Sequence, residues 1–161
     1  MNADGERLAG EFEAANDEVI AFVETCPDEG WGSMVTGEDW SVGVVMHHIA
    51  VGHVQMLDWL DRARRGDAIT KTASEIDADN ARHARDFADV TRADTAEQLR
   101  RHGAALRECI SGFSADELAT SVPFGPGDGM AVTTEQLASV AARHCRTHLA
   151  GARSVVESGT T

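Results

Sequence analysis

Two stretches of sequence, 40-WSVGVVMHHIAVGH-53 and 142-ARHCRTHLAG-151, carry the pattern from which the fold and the site follow. In the second stretch His144 and His148 lie four residues apart. On an α-helix such residues share one face about one turn apart, so both imidazoles can point at one spot. A third histidine from the first stretch would complete a three-nitrogen site with an open position. A catalytic divalent metal needs that arrangement.

Both stretches belong to predicted helices with recognisable ends. Ser41 is a suitable N-cap for a helix that ends at Gly66, because glycine favours the left-handed conformation that follows a helix. Thr133 and Gln136 have capping-box spacing, in which each side chain satisfies a backbone N–H group. The last helix is therefore predicted to begin there and to extend through Val156.

The rest of the chain adds further helices. Apolar residues at three- and four-residue spacing predict a first helix over residues 4–24, and a capping-box pattern predicts another that begins at Thr95. Ser74 opens a shorter segment with a thin apolar stripe. Residues 121–132 contain too much Gly and Pro for regular structure and are predicted to form an ordered loop.

Four substantial helices with long connections predict an all-α protein, a four-helix bundle that forms a single domain over residues 1–161. The helices that carry the two histidine stretches are expected to face each other across its core.

The charge and hydropathy of the chain argue against several classes of partner and cellular location. The formal net charge of −13 argues against a sequence-independent grip on nucleic acid, which depends on a lysine- and arginine-rich surface. No apolar run approaches the roughly 20 residues of a membrane span. The first ten residues lack the basic start and apolar block of an export signal, so the chain is expected to be cytoplasmic.

Residues around Trp40 resemble a known family. Trp40, Ser41 and the aliphatic run that ends in His48, followed by Ile49 and Ala50, resemble the second-helix motif of the DinB-like superfamily. This superfamily includes thiol-dependent transferases of the bacillithiol and mycothiol systems and the N-terminal domain of mycothiol-dependent maleylpyruvate isomerase. The resemblance covers nearly the whole chain.

The resemblance implies a ligand set, a cofactor and an assembly. It carries over His48, His144 and His148 as ligands of a divalent metal ion, zinc or nickel, at one end of a helical bundle. It also implies a homodimer. From the residues themselves, the apolar face of the amphipathic first helix, with Phe12 and Phe22, is the candidate interface. The alternative for the three histidines is a set of core side chains satisfied by backbone carbonyls.

Other polar residues have weaker patterns. His47 points about 100° around the helix from His48 and is expected on its flank, outside the site. His53 stands where an acidic residue often follows the ligand in the family; it would orient a ligand or carry a proton, or else lie at the mouth of the bundle. Asn80 lies on a segment that would cross this mouth and bind substrate, or else on the surface.

Three neutral imidazoles leave the charge of a bound metal uncompensated, so a thiol or water in its open position is acidified. The sequence therefore predicts a metal-dependent transferase that joins a small-molecule thiol to an electrophile. One alternative is a hydrolase that uses water at the same centre. Another is a stress-related bundle that binds metal or ligand without turnover, because no Glu is evidently placed as a general base. A pocket bounded by His53, Asn80 and residues 124–129 would favour an enzyme.

Overall fold

The computed structural model of the protein describes residues 2–159, which form seven α-helices and one β-hairpin. In chain order the elements are α1 (Ala3–Thr25), α2 (Asp28–Trp31), α3 (Val42–Arg65), α4 (Ala73–Asp86), α5 (Arg92–Ser111), α6 (Ala115–Ala119), β1 (Ser121–Phe124), β2 (Met130–Thr133) and α7 (Thr134–Ser158). A short 3₁₀ turn, Gly125–Gly127, connects the two strands. Within this range no helix combines the length and apolar character that crossing a membrane requires.

The four long helices α1, α3, α5 and α7 enclose the core. Helix α1 packs on α5 and α7, and α3 packs on the same two helices from the other side. The apolar residues that recur every three to four positions, such as Phe12, Ile49, Leu106 and Leu149, are buried between them. The predicted all-α four-helix bundle is therefore confirmed, and α3 and α7 are neighbours as expected.

The predicted ends of α3 and α7 are also present. The Ser41 hydroxyl accepts a hydrogen bond from the Val44 N–H at 3.2 Å, and Gly66 has a positive φ of 77°. Thr133 and Gln136 form both bonds of the capping box. These caps fix where the two helices that bear the histidines begin.

Two helix starts differ from the prediction because a neighbouring threonine supplies the cap. Helix α5 begins after Thr91, whereas Thr95 is buried inside the helix and donates its hydroxyl proton to the Thr91 carbonyl. Helix α4 begins after Thr72, which forms a capping box with Glu75, and Ser74 is inside its first turn. In each case the predicted start lay within the first turns of the actual helix.

The ordered loop predicted over residues 121–132 is wrong, because most of it pairs as an antiparallel hairpin. Ser121 pairs with Thr133, and the turn is closed by Asp128 and Gly129, whose φ values are 56° and 77°. Ile69, just before α4, extends this hairpin by a parallel bridge to Phe124. The hairpin thus fastens the segment that leads into α4.

Helix α1 cannot offer the predicted dimer interface as described. Phe12 is fully buried in the bundle core, and Phe22 is half-buried against the same core. Phe12 is therefore unavailable to a second copy of the chain. A homodimer through another surface stays a prediction.

Candidate metal centre

His48 from α3 and His144 and His148 from α7 converge at one side of the bundle core. Each contributes a ring nitrogen, and the three nitrogens lie within 4.8 Å of one another. Nε2 of His48 is 3.1 Å from Nε2 of His144. All three side chains are half-buried. The structure therefore brings together the three histidines that the sequence predicted as ligands.

Gly52 makes room for this convergence. It lies one turn after His48 on α3, where a Cβ atom would come within 2.8 Å of Cε1 of His144. That distance is well below van der Waals contact, so a side chain at position 52 would displace the His144 ring. The close approach of α7 to α3 at the centre thus depends on a glycine.

Glu38 orients His148 from the loop before α3. Its Oε1 atom is 3.3 Å from Nδ1 of His148, so Nδ1–H donates to the carboxylate and the lone pair of the ring is left on Nε2. A carboxylate behind a metal-binding histidine fixes the tautomer and raises the basicity of the ring. No sequence pattern connects Glu38 with His148, because the two residues are 110 positions apart and Glu38 lies outside the helices that carry the three histidines.

A tight turn places Glu38 at the centre. Residues 33–42 fold back on themselves, with the Val35 N–H donating to the Trp40 carbonyl and the Val42 N–H to the Ser33 carbonyl. Asp39 has a positive φ of 55°, which aspartate tolerates better than most residues. The only sequence signal for this turn is the Gly37–Glu38–Asp39 run directly before Trp40.

Two histidines of the centre, His48 and His144, are neutral at pH 7. Burial, followed by the neighbouring imidazoles, lowers the pKa of His48 to about 2. Burial and His148 lower the pKa of His144 to about 4. Neutral rings keep the lone pairs that a metal requires.

The donor set fits a divalent cation. Zinc–nitrogen bonds of about 2.0–2.1 Å place two tetrahedral ligands roughly 3.3 Å apart, close to the observed separation of the His48 and His144 nitrogens. The other Glu38 oxygen, Oε2, is buried with no hydrogen-bond partner among the described residues, so this carboxylate has an unsatisfied acceptor next to His148. None of the three rings is satisfied by a backbone carbonyl within residues 2–159, which is what the alternative of core histidines required.

A cavity of about 520 Å³ opens onto the three histidines. His53 and Asn80, the predicted catalytic and substrate-binding residues, both line it. Residues 124–129 do not; Phe124 instead packs edge-on against Trp59, which lines the wall, with ring centroids 5.2 Å apart. The expected pocket is present with a different boundary.

His53 is buried rather than exposed at the mouth of the bundle. Its side chain is 2% exposed, and its Nε2 lies 2.8 Å from Oδ1 of Asn16 on α1. Burial lowers its pKa to about 3, so the ring is neutral. His53 does not hydrogen-bond to His48, His144 or His148, whereas Glu38 does bond to one of these rings.

His47 forms a separate pair with His83 of α4. As predicted, it lies outside the three-histidine group, but it is buried rather than on the flank of the helix. Its Nδ1 is 2.7 Å from Nε2 of His83, and Phe87 stacks on both rings. This pair holds α4 over the face of α3 next to the metal centre.

Comparison with known proteins agrees with this architecture. The sequence model of the DinB superfamily matches residues 11–151. The chain belongs to the DinB superfamily. The resemblance that rested on Trp40 and His48 is therefore confirmed. No curated protein matches the chain.

A solved structure of similar fold is that of YfiT from Bacillus subtilis, described as a probable metal-dependent hydrolase with an unusual four-helix bundle topology. It superposes with a TM-score of 0.80 at 14% sequence identity, over 97% of this chain and 87% of YfiT. At this identity the likeness shows that the DinB-superfamily chain and YfiT share a fold. Their reactions are a separate question.

Proposed function

We propose that the protein is a divalent-metal-dependent transferase that joins a low-molecular-weight thiol to a small, uncharged electrophile. The observation that carries this proposal is a second cavity, of about 790 Å³, which adjoins the first at the three-histidine centre. The residues that line both cavities are His48, Gly52, Gln55, Trp59 and Asn80. A reaction between two substrates needs two such compartments that meet at the reacting atoms.

The first cavity suits an apolar ligand without negative charge. Trp40, Met56, Trp59 and Val140 form much of its wall. Glu38 is the one carboxylate among its lining residues, and none of them is lysine or arginine. Apart from the ion that the three histidines would hold, an anionic ligand would therefore meet a carboxylate and no cationic side chain. We assign this cavity to the electrophile.

The second cavity is polar, and its cations are already paired. Arg62 lies 2.9 Å from Asp58, while Lys71 and Arg82 both pair with Asp79. Paired charges offer hydrogen bonds to a polar ligand without a strong preference for an anion. We assign this cavity to the body of the thiol, with its sulfur at the junction of the two cavities.

His48, His144 and His148 would hold the ion, and zinc or nickel is the proposed metal because imidazole nitrogen suits both. When bound, such an ion lowers the pKa of a thiol or water in its open position. Glu38 keeps the lone pair of His148 turned to the centre. Asn80, at the junction of the cavities, is proposed to hydrogen-bond to the substrate.

The proposed reaction breaks the S–H bond and the bond to the leaving group and forms one S–C bond. The leaving group departs with its electron pair, and the thiol proton passes to solvent. The role of His53 as proton carrier stays a prediction. Because its pKa is lowered to about 3, the ring accepts a hydrogen bond more readily than it holds a proton.

The test is a conjugation assay with defined small molecules. Protein loaded with zinc or nickel is mixed with N-acetylcysteamine, an uncharged thiol, and 1-chloro-2,4-dinitrobenzene, an uncharged electrophile. We expect conjugation above the spontaneous rate, lost in His148→Ala and after chelation, and weaker with the anionic thiol 3-mercaptopropionate. Absence of turnover with a full metal site, also with mycothiol and bacillithiol as thiols, would refute the transferase and favour a non-enzymatic bundle.

A hydrolase is the second candidate, because the similar structure YfiT is described as a probable metal-dependent hydrolase. The same preparations can be tested on p-nitrophenyl acetate without thiol. Metal-dependent ester cleavage, with no gain on adding thiol, would favour this alternative. We also propose a cytoplasmic location. A homodimer is proposed as well, and light scattering of the purified protein would test it.

A further inference from the structure

We infer that Asn16 fixes His53 as a hydrogen-bond acceptor in the wall of the apolar cavity, so that the site selects substrates with an N–H or O–H donor at this position. Asn16 and His53 are separate from the three histidines of the metal centre and from Glu38. The inference rests on the proposed function only in the choice of test molecules.

The orientation of the Asn16 amide follows from its neighbours. Its Nδ2 donates to the Leu99 carbonyl of α5 at 3.2 Å, which leaves Oδ1 facing Nε2 of His53 at 2.8 Å. An amide oxygen only accepts hydrogen bonds. The proton of the neutral His53 ring must therefore be on Nε2, and Nδ1 carries the lone pair.

The space for Asn16 is built into α5. A Cβ atom at Gly103 would come within 2.3 Å of Nδ2 of Asn16, so only glycine at this position lets the amide reach the Leu99 carbonyl. Asn16 is itself 5% exposed. Phe12 meets the His53 ring edge-on, with centroids 5.0 Å apart, and so restricts its rotation. The pair is therefore held from two helices.

Nδ1 of His53 is the group left for a ligand. It has no hydrogen-bond partner among the described residues, yet it is not sealed from solvent as Nε2 of His47 and Nδ1 of His83 are. His53 lines the cavity, whereas Asn16 does not. A ligand that fills the cavity without a donor would leave this acceptor unpaired, and an unpaired buried acceptor is costly.

The first experiment compares two compounds that fit the first cavity and differ in one group. N-methylbenzamide has an amide N–H where methyl benzoate has an ester oxygen, and both are uncharged and contain no thiol. We expect the zinc-loaded protein to bind the amide at least about tenfold more tightly in calorimetry. In Asn16→Leu the His53 ring can change tautomer, so the preference should fall below about twofold.

The matched control is Thr95→Val, which also removes a buried polar group but lies outside both cavities. It should retain the full preference for the amide. Binding of neither compound, equal binding of the amide and the ester by the wild type, or a preference that survives in correctly folded Asn16→Leu would overturn the inference.

A second measurement needs neither variant nor substrate. Long-range ¹H–¹⁵N spectra of the ¹⁵N-labelled protein should show His53 protonated on Nε2 and unprotonated on Nδ1. A proton on Nδ1 would overturn the inference. If the conjugation assay fails while this tautomer and the preference for the amide are found, the proposed thiol chemistry fails and the acceptor stands. The two failures are therefore distinguishable.

Discussion

His47 and His48 are neighbours in the sequence but belong to two different groups of histidines. His48 turns its nitrogen toward His144 and His148, beside a cavity and a carboxylate. His47 stacks with His83 under Phe87, and the outer nitrogens of this pair are buried without partners in the part of the chain that the structure describes. Convergent nitrogens can bind an ion, whereas stacked rings that bond to each other can only hold two helices together.

The largest expected effect separates the two groups by metal content. His144→Ala removes one of three ligands and should lower the bound zinc or nickel from about one equivalent to less than a tenth after dialysis. His47→Phe should retain a full equivalent. Elemental analysis of both purified variants makes the comparison. Loss of metal from His47→Phe in a folded protein would break the distinction between the groups.

The next largest effect is expected on metal affinity and concerns Glu38, the carboxylate beside the three convergent histidines. Glu38→Gln leaves all three ligands in place but weakens the hold on the His148 tautomer, so the metal affinity should fall about 10- to 100-fold. Competition with a chelator of known affinity measures this change. Asp39→Asn is the matched control, because asparagine tolerates the positive φ at this position. Equal affinities of the two variants would contradict the role of Glu38.

Acidification should destabilise both groups in the metal-free protein. The pKa values of His48, His53, His83 and His144 are lowered by burial to between about 2 and about 4. Between these values and about 6.5 the unfolded chain binds more protons than the folded one. The free energy of unfolding is therefore constant above this range and falls as the pH decreases through it, by about 1.4 kcal/mol per pH unit for each such histidine.

Urea unfolding of chelated protein at pH 7.5 and 5.0 checks this expectation. The midpoint should be lower at pH 5.0, and zinc added at pH 7.5 should raise it. A midpoint that does not change between the two pH values would show that these histidines have the same pKa values in the folded and the unfolded protein.

The smallest expected effect is the contribution of the His47–His83 pair to the free energy of unfolding. His47→Phe leaves Nε2 of His83 unpaired and should lower the free energy of unfolding by about 1–2 kcal/mol, measured with urea. The double variant His47→Phe/His83→Phe should lose less free energy of unfolding than the two single variants lose together. The reason is that His83→Phe then removes a ring nitrogen that His47→Phe has already left unsatisfied. Strictly additive losses would mean that the two rings do not interact.

The parts of this molecule that depend on one helix at a time follow from the sequence. Ser41 and Gly66 mark the ends of α3, and the spacing of His144 and His148 places both on one face of α7. Local capping and a period of 3.6 residues are enough for these features. Thr95 shows the limit, because Thr91 satisfies the same pattern one turn earlier.

The parts that depend on contacts between distant residues did not follow. Glu38 reaches His148 only because residues 33–42 fold into a tight turn, and Asn16 meets His53 only because Gly103 leaves it space. In neither case does a sequence pattern connect the two partners. The hairpin of residues 121–133 was missed because its Gly and Pro residues lie at positions that a strand pair and its turn accept.

Gly52 has a consequence for interpreting other members of the superfamily. Because the His144 ring occupies the space where a side chain at position 52 would lie, the three histidines are a necessary but insufficient mark of the centre. A relative with the same histidines and a bulky residue one turn after the first of them would have a complete ligand set that cannot close around an ion. Its histidines alone would class such a relative as a metalloprotein. The bulky residue at the position of Gly52 would show that it is not one.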